Sequence, residues 1–96
     1  LFVRASIPGV LIGVSPGDLN GLRGASGRFT RIYQPGMTVR LTAPLSVDGY
    51  GFDRWELDGQ PLAVGRRTVD VLLDDDRTAE AVYRASSDIN ALSYGP

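Results

Sequence analysis

The stretch Phe29-Thr30-Arg31-Ile32-Tyr33-Gln34-Pro35-Gly36-Met37-Thr38-Val39-Arg40-Leu41-Thr42-Ala43 carries the strongest local signal in the chain. Phe29, Arg31 and Tyr33 alternate with Thr30 and Ile32, and Val39 and Leu41 alternate with Thr38, Arg40 and Thr42. A period of two is that of a strand with one buried face. Pro-Gly at 35–36 is turn chemistry. The stretch therefore predicts two strands, 29–34 and 37–43, folded on each other as a hairpin.

The same punctuation continues outward. Strand-like runs are expected at 1–6, 10–15, 52–58, 68–73 and 78–84, separated by Pro8-Gly9, a Gly-rich loop over 16–27, a loop over 44–51, the turn Asp58-Gly59 and the polar run Asp74-Asp75-Asp76-Arg77. Gly13 inside the second run points to a bulge or a close backbone contact. Val69, Val71 and Leu73 share one face of their strand, as do Ala79, Ala81 and Tyr83. Phe52 and Trp55 are three apart, so either a bulge lies between them or both faces of that strand are covered. No helical period runs through any long window.

Composition narrows function by exclusion. The chain has 96 residues, 43% of them hydrophobic and 22% charged, enough for one domain with a thin core. It has no His and no Cys. The commonest general base, the strongest nucleophile, the usual zinc ligands and any disulfide are therefore missing. Net charge is −1, and all ten basic residues are Arg. They form no stripe that could neutralise a phosphate backbone, which argues against nucleic acid. No run of 18 apolar residues and no polybasic amphipathic helix is present, which argues against a membrane. The start at Leu1-Phe2-Val3 rather than Met reads as a piece of a longer polypeptide. Residues 1–84 read as the folded module and 85–96 as a linker or C-terminal tail.

A set of elements in order resembles the divergent internalin-type B-repeat family. They are Val10 to Pro16, Asp18-x-Asn20-Gly21, Phe29-Thr30-Arg31-x-Tyr33, Pro35 to Pro44, Gly51-Phe52 with Trp55, Asp58-Gly59, Thr68-Val69-Asp70-Val71, and Asp76-x-Thr78-Ala79-x-Ala81-Val82-Tyr83. The family signature runs Gly-x-x-Val-x-Leu-x-Ala, then Gly-Tyr-x-Phe-x-x-Trp, then a closing Asp-x-x-Thr-Val-x-Ala strand. Here Gly49-Tyr50-Gly51-Phe52 stands against its middle element, and the loop 16–27 is an elaboration. The resemblance covers about three quarters of the chain. It implies an all-β, β-grasp-like module of six or seven strands, non-catalytic, acting as an accessory, spacer or adhesion piece of a secreted or surface-attached bacterial protein. Its partners would be other domains of the parent polypeptide, a surface protein or a polysaccharide. The same run of strands also suits an immunoglobulin-like sandwich; a β-grasp differs in pairing its first and last strands in parallel.

Two residue groups are candidate sites, each with a plainer reading. Tyr33, Tyr50 and Trp55 can form a sugar-stacking platform, with Phe52 and Tyr83 beside them, or they belong to the core. Tyr50, between two glycines, is the aromatic expected to be exposed. Asp74, Asp75 and Asp76 can offer oxygen ligands to calcium or form a solvated turn. Asp18-x-Asn20-Gly21 opens like a calcium loop but lacks the later ligands. Arg23, Arg28 and Arg31 can attract anionic glycans, and Arg66-Arg67 reads as a solvated turn.

Overall fold

A computed structural model of the chain describes residues 1–85. The expectations for 86–96 lie outside the described residues, and Ala85 itself ends the last strand. The described residues form ten strands: β1 (Phe2–Ala5), β2 (Leu11–Ser15), β3 (Ala25–Ser26), β4 (Phe29–Thr30), β5 (Thr38–Thr42), β6 (Ser46–Val47), β7 (Tyr50–Leu57), β8 (Gln60–Pro61), β9 (Thr68–Leu72) and β10 (Thr78–Ala85). The fold is all-β. Six of the seven expected runs are the strands of four residues or more; the exception is the run from Phe29.

The strands make two sheets. One has the order β4-β1-β10-β7-β6, with β8 also on β7, and the other β3-β2-β5-β9. β1 runs parallel to β10, pairing Phe2 with Thr78 and Ala5 with Ala81. Ser6 staples this pair at its far end: its N–H donates to the Ala81 carbonyl at 2.9 Å, and its hydroxyl accepts from the Tyr83 N–H at 2.8 Å.

One core lies between the inner faces. Val3, Trp55, Ala79, Ala81 and Tyr83 come from the first sheet; Ile12, Val14, Val39, Leu41 and Val71 come from the second. The alternation seen in the sequence is the cause, because a period of two puts every second side chain on the same face. The bulge alternative for Phe52 and Trp55 holds. Tyr83 pairs with Phe52 and Val82 with Arg54, leaving Asp53 as the extra residue. The bulge returns Phe52 to the face of Trp55, with ring centroids 6.4 Å apart, and sets it edge-to-face with Tyr83 at 5.6 Å.

The expected hairpin over 29–43 does not form. β4 pairs antiparallel with β1, whereas β5 lies in the other sheet between β2 and β9. Beyond Thr30 the backbone is already engaged. Arg31 donates to the Leu1 carbonyl at 2.8 Å, Ile32 donates to the Asp18 carboxylate at 2.9 Å, and its carbonyl accepts from Leu19 at 2.8 Å. The turn at Pro35-Gly36 carries the chain from one sheet to the other, anchored by Gly36 N–H to the Leu73 carbonyl and Leu73 N–H to the Met37 carbonyl, both 2.8 Å.

The expected loop over 44–51 holds a hairpin. Asp48 and Gly49 have φ of 48° and 82°, and Asp58 and Gly59 have 51° and 82°. Positive φ at both central residues is the turn that matches strand twist. β7 therefore carries the same Asp-Gly turn at each end, folding β6 and β8 back along one edge.

A Cβ at Gly13 would make only ordinary contact with Thr42, but Gly24 comes close to the Gly13 backbone, as a Gly24 Cβ would lie 3.1 Å from the Gly13 Cα. The close approach in this region belongs to Gly24, where a Cβ would overlap the Ile12 carbonyl oxygen.

Candidate functional site

Asp18 organises the surface on which the candidate site is built. Its Oδ1 accepts from Asn20 N–H at 2.9 Å and Leu22 N–H at 3.0 Å, and its Oδ2 accepts from Ile32 N–H at 2.9 Å. The side chain is buried. The resemblance of Asp18-x-Asn20-Gly21 to a calcium loop is thus that of an Asx turn, with backbone N–H groups standing where a cation would. The Ile32 N–H, then those of Leu22 and Asn20 and the nearby Arg31 charge, hold this carboxyl below the usual 3.8, against burial, which pulls upward.

The sign of that shift sets a pH dependence. A carboxyl with a depressed folded pKa stabilises the fold above its unfolded value and loses that contribution as pH falls through the folded one. Asp18→Asn places an amide NH₂ against a backbone donor. Its melting temperature is expected to be lower than wild type at neutral pH, with the gap closing in acid below the unfolded carboxylate range. Thermal melts across pH check this; a gap that persists unchanged in acid contradicts it.

Arg31 is buried as well. Its Nε donates to the Arg23 carbonyl at 2.6 Å, its Nη1 to the Thr30 carbonyl at 2.9 Å, and its guanidinium lies 4.4 Å from the centre of the Phe29 ring. The cluster Arg23, Arg28 and Arg31 therefore does not act as one free cationic patch, because Arg31 is spent on the fold. Tyr33 packs partly against the core and donates its hydroxyl to the Pro16 carbonyl at 2.6 Å. Burial, and then the charge of Asp18, push its pKa up.

Arg31 and Tyr33 line a cleft of about 440 Å³ beside Pro35, where the chain crosses between sheets. Its apolar surface comes from Leu1, Ile32, Pro35 and Leu73, an aromatic wall from Tyr33, and its rim from Asp74, Asp75 and Asp76. Two groups singled out separately, Tyr33 and Asp74–Asp76, thus meet in one place. The mutual backbone bonds of Gly36, Met37 and Leu73 bring them together.

The other two aromatic candidates lie elsewhere. Trp55 is 1% exposed and donates its Nε1–H to the Arg67 carbonyl at 2.7 Å, so it presents no ring face to a ligand. Tyr50 is 38% exposed, at the start of β7, and does not line the cleft. Tyr33, Tyr50 and Trp55 form no common platform. Tyr83 is buried, with its hydroxyl donating to the Pro44 carbonyl, and desolvation pushes its pKa up to about 12.

The three aspartates do not converge either. Asp74 is drawn to Arg77 Nη2 at 2.8 Å, and Asp75 Oδ1 accepts from the Asp76 N–H at 2.8 Å within the turn. Among the described residues no three carboxylates are arranged to hold a metal ion. Arg77 also reaches Asp58 at 2.9 Å, and Asp58 accepts from Thr78 N–H at 2.9 Å. This polar network ties the β7–β8 turn to the start of β10. The Thr78 N–H and then the Arg77 guanidinium hold the Asp58 carboxyl below its usual value. The cleft can offer apolar contact, one aromatic face and acceptors on Asp75 and Asp76.

No protein-family model, no curated protein and no solved structure matches the chain.

Proposed function

We propose that this domain is a non-catalytic module of the internalin B-repeat kind, serving as an accessory, spacer or adhesion piece of a larger exported bacterial protein. The observation that carries the reading is how the signature residues are used. Val39, Leu41, Ala43, Trp55, Ala79, Ala81 and Tyr83 are core, and Gly36, Gly49 and Gly59 have the positive φ of turns. A signature spent on core and turns describes a scaffold. The parallel β1–β10 pair supports a β-grasp-like reading over the immunoglobulin-like one. The absence of His and Cys from the sequence is in keeping with a role played by surfaces.

Protease shaving of intact producing cells tests the placement. Peptides of this domain are expected in the released fraction, and their recovery from the cytosol alone would overturn it.

The cleft favours a second reading, a carbohydrate-binding module. One aromatic face beside free carboxylates is the pairing that sugar recognition uses, with the ring on the apolar sugar face and acceptors on its hydroxyls. Affinity electrophoresis through polysaccharide-loaded gels checks it. Retention is expected to fall about tenfold in Tyr33→Ala, the loss of one stacking contact of about 1.4 kcal/mol, and to remain in Tyr50→Ala. No retention on any polysaccharide removes this reading and leaves the first standing.

A further inference from the structure

β9 is the one strand of four residues or more, among the described residues, with a whole edge unpaired. β1, β2, β5 and β10 have neighbours on both sides. The outer edge of β7 is covered by β6 and β8, and between them by Leu45, Leu62 and Gly65, whose backbones bond to Phe52, Trp55 and Asp53. β9 pairs only with β5. The Arg67 carbonyl accepts from Ala43 and the Leu73 N–H donates to Met37, so odd-numbered residues of this strand turn their backbone groups inward. By the alternation of an antiparallel ladder, those of Thr68, Asp70 and Leu72 point out to the free edge.

None of the usual edge protections is present in Thr68–Leu72: no Pro, no Lys and no bulge. Its single charge, Asp70, is drawn back over the sheet by Arg40 at 2.9 and 3.3 Å. Charge instead sits at the two ends, and it is of opposite sign. Arg66 and Arg67 precede the strand, exposed and outside any ion pair among the described residues; Arg67 also donates from Nη1 to the Ala43 carbonyl at 3.5 Å, so Arg66 is the freer of the two. Asp75 and Asp76 follow it, likewise exposed and outside any ion pair, with Asp74 beside them.

We infer that the β9 edge pairs with the β9 edge of a second copy of this chain, antiparallel about a two-fold axis. Only that direction sets the arginine end of each strand against the aspartate end of the other; a parallel pair would oppose like charges. A two-fold at Val71 pairs Asp70 with Leu72 of the second copy through the outward-pointing backbone groups. It also keeps the two Asp70 side chains from standing opposite each other. The two four-stranded sheets then continue as one. The inference rests on reading the module as one that acts through its surfaces, and it names the partner.

Sedimentation velocity on the full chain at low and high salt tests it. The contact is small, under about 1,200 Å², so a dissociation constant between about 10 µM and 1 mM is expected, weakened by salt. Thr68→Pro removes an edge-facing N–H, leaves the backbone bonds to β5 in place and loses only the 3.5 Å hydroxyl contact with Thr42, and should abolish the dimer. The double variant R66D/R67D and the double variant D75R/D76R should each be monomeric alone and associate when mixed. Circular dichroism of each variant confirms that it is folded. A wild-type chain that stays monomeric to about 1 mM at low salt overturns the inference. So does a dimer indifferent to Thr68→Pro, or a mixture that does not associate. A monomer retained on polysaccharide would overturn the self-pairing while leaving the module's accessory role intact.

Discussion

Trp55→Ala is expected to cost about 3–5 kcal/mol, in the range of large aromatic truncations in cores. Trp55 is the largest fully buried side chain and packs against Phe52. Its truncation leaves a cavity in a thin core and removes the Nε1 donor to the Arg67 carbonyl. A small domain holds only about 5–15 kcal/mol in total, so the variant should be largely unfolded at modest denaturant. Trp55→Phe keeps part of the ring volume but not the donor, and about 1–2 kcal/mol should separate it from wild type. Urea unfolding followed by circular dichroism measures all three. A loss under about 1 kcal/mol in the alanine variant, or solvent-like fluorescence from wild type, would contradict the burial.

Gly24→Ala is the second large effect, and it acts through space rather than dihedral preference. The added Cβ would overlap the Ile12 carbonyl oxygen and lie 3.1 Å from the Gly13 Cα. Ile12 cannot retreat: its side chain is fully buried and it is paired with Ala25 across β2 and β3. The β2–β3 pairing must open, at about 2 kcal/mol or more. Gly21→Ala is the control. Its φ is 77°, yet nothing lies near its Cβ position, so it should cost only about 1 kcal/mol. If the two variants melt together, the close approach at Gly24 is not what holds this loop.

Much of the fold was legible because it rests on period. Thr68 to Leu73 and Thr78 to Tyr83 announce their buried faces by alternation alone, and the three-residue spacing of Phe52 and Trp55 already narrows that strand to a bulge or to cover on both faces. Pairing was less legible, since alternation says which side chains share a face but not which strand lies alongside. The run from Phe29 shows the difference. Its alternation is real, with Phe29 and Arg31 buried and Thr30 and Ile32 exposed, yet its partners are Leu1 and Asp18, too far off in sequence for a local rule. The Asp48-Gly49 hairpin was readable from the same dipeptide as Asp58-Gly59, but two-residue strands carry no period to flag it.

The candidate site divides in the same way. Tyr33 and Asp74–Asp76 stand out by residue type, but their meeting depends on the crossing at Pro35-Gly36, a long-range event. Arg31 reads as a surface cation, and only the structure shows its guanidinium turned onto backbone carbonyls and Phe29.

The parallel pairing of the first and last strands has a mechanical consequence. The chain enters β1 beside Thr78 and leaves β10 at Ala85, seven residues further along, about 23 Å at strand rise. Tension applied through the backbone on either side would pull β1 and β10 along their length in opposite directions. The rungs from Phe2–Thr78 to Ala5–Ala81 would share that load at once, in shear, instead of opening one by one like a zip. The covalent path of the domain is thus arranged to resist extension, and each copy in a string would add its length to the whole rather than turn the chain back on itself.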